Sequence, residues 1–270
     1  MSQYANVRCL WFQGNGLGEM KGLSSLRELR TLYLHENAIE MLEGLESLVN
    51  LRVLNVSKNF IQRIEGLKNC KELETLNISH NNLGPDAKEA LGELVELPAL
   101  STLDVQANRI EDGEGLLDIL KDLKSLRVFY GQGNKFVKDL RYYRKRVIST
   151  CGDLRYLDDR PIFDEEARRV RAWNQVFSLT GDVDKANESE REEIANIRQD
   201  AKDEEHQRIR DFDDFIHNRK DNNLGQSQGD AGKKKASSVI RPISSSLSPQ
   251  NNNGEENTTT QGFVAFFEFD

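Results

Sequence analysis

An α/β solenoid is the fold this sequence predicts, on three observations. The pattern LxxLxLxxN occurs six times between residues 7 and 134. Its stride is nearly constant, at 22, 22, 22, 27 and 26 residues. The residue eight places after each opening position is always asparagine: Asn15, Asn37, Asn59, Asn81, Asn108 and Asn134. A fixed stride of this length marks stacked leucine-rich repeats, with a parallel sheet on the concave side.

Each copy opens at Val7, Leu29, Leu51, Leu73, Leu100 or Leu126. One short strand per copy is expected over motif positions three to seven. Side chains alternate along a strand. Leu32 and Leu34 therefore face inward, while Thr31, Tyr33 and His35 face the concave side. The sixth copy has Gly131 where the others have an inward apolar residue. Later apolar residues of a coil, such as Ile39, Leu42, Leu45 and Leu48, close the core from behind. A lone coil cannot bury them, whereas stacked coils can. The six asparagines are assigned a structural role, because a buried amide can satisfy the backbone groups that a sharp turn leaves without ladder partners.

The fourth and fifth strides are longer and predict helices on the convex side. Pro85 sits near a helix start, and the segment runs to about Glu96, before Pro98. Glu111 to Lys121 reads likewise, with Leu116, Leu117 and Leu120 on one face. The shorter coils have room only for tight turns or 3₁₀ segments.

The organisation read from the sequence has four parts: repeats over 1–136, a C-terminal cap over 137–163, a helical or coiled-coil extension over 164–220, and a disordered tail over 221–270. In the cap, Tyr143 and Arg144 fall on a short helix. Leu154, Tyr156 and Leu157 close the last coil. Asp158 is expected to cap the next segment, with Asp159 and Arg160 in the same turn and an ion pair beside them. Asp164 to about Leu179 predicts a helix, with Trp173 packed against the cap. Ser189 to about Lys220 predicts a second helix with a thin apolar stripe, open to a coiled-coil partner. The tail is rich in Gly, Ser, Asn and Gln and ends in an aromatic run, Phe263 to Asp270.

Composition narrows the function classes. The formal net charge is −8, which argues against a nucleic-acid backbone as ligand. No stretch approaches the length of a membrane-spanning helix, and no signal peptide is expected. Three cysteines without CxxC spacing fit a reducing compartment without structural disulfides or zinc. No cofactor and no catalytic residue is predicted. His35 and His80 lie two coils apart. Gly14 to Gly18 lacks the ending of a phosphate loop. Asp182 to Glu193 departs from a calcium loop at two positions and reads as a polar linker.

A concave surface remains as the candidate site. Its outward residues include Trp11, Gln13, Tyr33, His35, Asn55, Ser57, Asn77, Asp104, Gln106 and Tyr130. Exposed aromatics on a rigid sheet suit protein binding, and Trp11 and Tyr33 are the expected anchors.

Ile64-Glu65-Gly66-Leu67 and Leu42-Glu43-Gly44-Leu45 resemble the SDS22-like leucine-rich class. The cap resembles that of the dynein axonemal assembly factor 1 family. The resemblance rests on Tyr143-Arg144-Lys145, the block Leu154 to Phe163 and Ala172-Trp173. The opening Leu10-Trp11, Gln13 and Asn15-Gly16 are also similar to that family's first repeat. The resemblance implies a cytoplasmic factor for pre-assembly of dynein arms in motile cilia or flagella. Dynein chains, chaperones or other assembly factors would be its protein partners. The SDS22-like class also permits a phosphatase regulatory subunit, and a third reading, an RNA-processing adaptor, predicts steeply salt-dependent RNA binding.

Overall fold

The computed structural model describes residues 6–224, with side chains described as far as residue 217. The chain divides into two compact units, Met1–Asp211 and Phe212–Asp270. The first holds the solenoid and its cap. The second, within the described residues, is the end of one helix. Residues 221–224, expected to open a disordered tail, instead continue the last helix, and the rest of the tail with its aromatic run lies outside the described residues.

Six parallel strands follow one per coil: β1 (Cys9–Trp11), β2 (Thr31–Tyr33), β3 (Val53–Asn55), β4 (Thr75–Asn77), β5 (Thr102–Asp104) and β6 (Val128–Tyr130). The register is unbroken, with Leu10, Leu32, Leu54, Leu76, Leu103 and Phe129 as successive partners. Each strand is three residues long, shorter than the motif suggested. Beyond it single backbone bonds continue the ladder, as where Leu34 N donates to Asn55 O at 2.8 Å and Glu36 N to Ser57 O at 3.0 Å.

Turning out of each strand sets the backbone. The residue before every repeat asparagine has positive φ, between 51° and 80°: Gly14, Glu36, Lys58, His80, Ala107 and Gly133. That left-handed step swings each asparagine back under the sheet. Asn59 Nδ2 donates to Leu34 O of the preceding coil and to Val56 O of its own, both at 3.0 Å. Its Oδ1 accepts Ile39 N at 3.0 Å. Asn37, Asn81, Asn108 and Asn134 repeat this three-way bond. Asn15 differs. It is exposed and donates to Gln13 O at 3.0 Å within its own coil, because no described coil precedes it. For the same reason Leu10 and Phe12 point inward yet stay half-buried.

Two further columns seal the core. Leu26, Leu48, Cys70, Leu97, Leu123 and Cys151 stand three residues before Leu29, Leu51, Leu73, Leu100, Leu126 and Leu154 and are all buried. Leu23, Leu45, Leu67, Leu94, Leu120 and Ile148 stand three residues earlier again, also buried. Two cysteines thus replace leucines in one column. Burying each such aliphatic side chain contributes roughly 1.5–3 kcal/mol.

The convex side is helical only in the longer coils. Helix α1 (Ala87–Leu91) tightens into a 3₁₀ turn over Gly92–Glu96. Its N-cap is Asp86, which accepts Glu89 N at 3.0 Å, so Pro85 precedes the cap rather than opening the helix. Helix α2 (Gly113–Asp122) is capped by Asp112, which accepts Gly115 N at 2.9 Å.

The repeat pattern persists past residue 136. Phe136, fully buried, opens α3 (Phe136–Asp139) and fills the inward position of the sixth coil. A Cβ on Gly131 would lie 2.9 Å from both Phe136 Cζ and the Tyr143 hydroxyl, which explains the glycine there. Helix α4 (Tyr143–Thr150) then forms the convex wall. The strand β7 (Tyr156–Leu157) adds to β6 in parallel as a seventh coil. The strand β8 (Arg160–Pro161) folds back antiparallel on it.

Helix α5 (Asp164–Thr180) and helix α6 (Val183–Leu224) follow. The second helix begins earlier than residue 189. Asp182 accepts Asp184 N at 3.0 Å and Lys185 N at 3.2 Å, so this segment is a helix start and not a linker. Trp173 is fully buried and stacks on Phe177 at 4.4 Å between centroids. Its Nε1 donates to Asn187 Oδ1 at 3.1 Å, and Lys145 Nζ lies 4.9 Å from the ring centroid.

Candidate protein-binding face

Odd positions of successive strands form one solvent-facing row. Its first end is aromatic. Trp11 is 59% exposed and stacks on Tyr33, with centroids 5.9 Å apart and planes 8° apart. His35 meets Tyr33 edge-on at 6.2 Å. This geometry follows from the register, which sets Trp11 directly opposite Tyr33. Gln13 is exposed beside them.

The middle of the row is polar and partly self-satisfied. Asn55 Oδ1 accepts both the Ser57 backbone N–H at 3.0 Å and its hydroxyl at 2.8 Å. Asn77 holds Ser79 in the same way. Ser57 is only 8% exposed, which removes it from the candidate face. A short hydroxyl two residues after an asparagine is captured locally. Asp104 Oδ1 accepts Gln106 N at 3.0 Å. Burial pushes the Asp104 carboxyl above the ordinary aspartate range.

The far end carries tyrosines and acids. Tyr130 and Tyr156 meet at 6.2 Å, which places Tyr156 on the face as well as in the cap. Burial and then Tyr156 raise the Tyr130 phenol above its usual range. Asp158 Oδ1 accepts Gly131 N at 2.8 Å, so this carboxylate stands in for a ladder carbonyl where the chain turns away. It does not cap α5, whose N-cap, Phe163, makes no side-chain bond. Asp159 Oδ2 accepts Gln132 Nε2 at 2.9 Å instead of pairing with Arg160. Arg160 is exposed and contributes its backbone to β8. Tyr143 lies under this turn, its phenol raised by burial and then by Asp158.

Arg144 holds the cap together. It grips Glu166 through Nε at 2.7 Å and Nη2 at 2.8 Å and donates to Leu157 O at 3.3 Å and Pro161 O at 3.1 Å. Leu154 and Leu157 are buried behind it. Among the described residues no group of three or more His, Cys, Asp or Glu side chains could hold a metal, and no helix is long and apolar enough to cross a membrane.

Residues 49–85 match the family model described as leucine rich repeats (2 copies). Over 128 residues the chain is 38% identical to the leucine-rich repeat-containing protein ODA7 of Chlamydomonas reinhardtii, which is 47% of this chain and 26% of that protein. Over 86 residues it is 42% identical to a dynein axonemal assembly factor 1 homolog of Anopheles gambiae, covering 32% of this chain and 9% of the other. The chain is a leucine-rich-repeat protein like dynein axonemal assembly factor 1. The human protein of that name is 36% identical over 80 residues, 30% of this chain and 11% of the human one. The matched regions thus span about a quarter or less of these relatives.

The motif reading missed one feature of the face's edge. Position two of the motif is arginine in four of the six copies, Arg8, Arg30, Arg52 and Arg127, the first three of them successive. A pattern that treats that position as free does not flag them.

Proposed function

We propose that this chain is a non-enzymatic scaffold for cytoplasmic pre-assembly of axonemal dynein arms, and that its concave face holds a protein client. The observation that supports this best is the likeness to dynein axonemal assembly factor 1 proteins of an insect and a human, beside that to the algal leucine-rich repeat-containing protein ODA7. The stacked Trp11–Tyr33 pair supplies the physical means. Two rigid aromatics held side by side lose little freedom on binding and present a large apolar area. Dynein chains, chaperones and other assembly factors are the partner classes this reading calls for. The test is gene deletion in cells that build motile cilia or flagella. Axoneme cross-sections are expected to lack dynein arms, with arms restored by the wild-type gene. A full set of arms after deletion would refute the reading.

A further inference from the structure

Three arginines hold the same place in three successive coils, each one residue before its strand. Their backbones are bonded in series: Arg30 N donates to Arg8 O at 2.8 Å, and Arg52 N to Arg30 O at 2.8 Å. Neighbouring members are therefore one strand spacing apart, about 4.8 Å at the backbone. All three are exposed. Arg52 is neutralised by Glu74 at 3.2 Å and Glu72 at 3.6 Å. Arg8 and Arg30 form no ion pair among the described residues. In the fourth coil the arginine gives way to Glu74, and where arginine returns, at Arg127 and Arg155, it pairs with Asp153 at 3.6 Å and Asp164 at 3.1 Å, so the uncompensated charge of this column belongs to the first two coils.

That charge sits beside the aromatic pair. Trp11 lies three residues beyond Arg8 on the first strand, and Tyr33 three beyond Arg30 on the second. The distance is about 10 Å at roughly 3.3 Å per residue. The far end of the sheet carries both signs, with Asp104, Asp158 and Asp159 as well as Arg127, Arg155 and Arg160.

We propose that the first two coils are a receptor for an acidic stretch of a protein partner. Carboxylates bridge the Arg8 and Arg30 guanidiniums, and a planar apolar side chain of the same stretch packs on Trp11 and Tyr33. Guanidiniums pair with carboxylates through two parallel hydrogen bonds, and a shared carboxylate relieves the repulsion between adjacent arginines. A polynucleotide fits less well. It carries a phosphate at every residue and would meet the acids further along the face of a chain with net charge −8. A polypeptide can change sign along its length. The inference rests on the protein-binding reading above and deepens it by naming the partner's chemistry.

The test is fluorescence anisotropy on the full chain with labelled peptides, Asp-Asp-Gly-Phe-Asp-Asp against Lys-Lys-Gly-Phe-Lys-Lys, and with single-stranded oligouridylate. The acidic peptide is expected to bind at least about tenfold more tightly than the basic one. Arg8→Gln with Arg30→Gln should abolish that preference, and Arg8→Glu with Arg30→Glu should invert it, with circular dichroism unchanged. Equal binding of the two peptides, binding of neither, or a preference that survives charge reversal overturns the inference. Tighter binding of oligouridylate than of the acidic peptide does so too, in favour of RNA. The proposed function would survive such a failure if the aromatic pair still proved necessary for dynein arms in cells.

Discussion

Asn81 reaches back to the carbonyl of Val56, one coil away, at 3.0 Å, and its own oxygen takes the amide of Ile61 at 2.9 Å. One side chain thus closes bonds in two coils at a buried turn. Asn81→Ala is expected to cost about 1–3 kcal/mol, because it strands buried backbone groups. Asn15→Ala, at an exposed amide bonded within its own coil, should change stability by less than about 0.5 kcal/mol. Urea denaturation of both variants checks this. Equal losses would mean that the amide column is not what joins the coils.

The left-handed residue ahead of each asparagine makes a prediction of sign. His80 is exposed with φ of 55°. A side chain in this region costs roughly 1–2 kcal/mol relative to the right-handed region, and glycine avoids that cost. His80→Gly should leave stability unchanged or slightly raised, whereas His80→Val should lower it by more than about 1 kcal/mol. Thermal melts that rank the two the other way would show that the turn tolerates other backbone conformations.

Cysteine accessibility and alkaline stability are linked. Burial pushes the Cys70 thiol up to about 11 and the Cys151 thiol up to about 12. An unfolded cysteine titrates near ~8.5. As pH rises past that value, the unfolded chain ionises first while the folded chain keeps its protons. This contribution to stability is therefore complete below about pH 8 and is lost as pH climbs through the folded values. Melting temperature should stay level near neutral pH and fall above about pH 9, with a shallower fall in Cys70→Val with Cys151→Val. In the native protein a thiol reagent should label Cys9 alone, since the other two are buried.

The cap offers a substitution that separates shape from charge. Asp158→Ala removes the acceptor for Gly131 N and should cost about 1–3 kcal/mol. Asp158→Asn keeps an acceptor oxygen and should cost less. The same change removes a negative charge beside Tyr143 and should lower that phenol's pKa, as read by ultraviolet titration. Identical stability in the two variants would contradict the ladder role of the carboxylate.

Much of this fold was legible in spacing alone, because stacked coils repeat the same contacts and so impose the same residue types. Leu54 and Asn59 are forced by what lies above and below them. Features decided by a single local contact were not visible. Ser57 points outward by strand alternation, yet Asn55 captures its hydroxyl. Asp158 looks like a helix cap, yet it completes the sheet where the chain departs. Leu154 and Leu157 do spell the opening of a seventh coil, but Ile162 stands where its asparagine would be, which hid the coil. On the face itself the aromatics were readable, whereas the arginine column lay at a position the motif leaves unspecified.

The central claim is that stacked coils hold Trp11 and Tyr33 as a platform for a client needed to build dynein arms. Its most direct measurement is rescue of the deletion by Trp11→Ala with Tyr33→Ala, scored by arm counts in axoneme cross-sections. The double variant is expected to melt like the wild type, since Trp11 is largely exposed and Tyr33 partly so, and to leave the arms missing. A normal set of arms with the variant present at wild-type level would contradict the account.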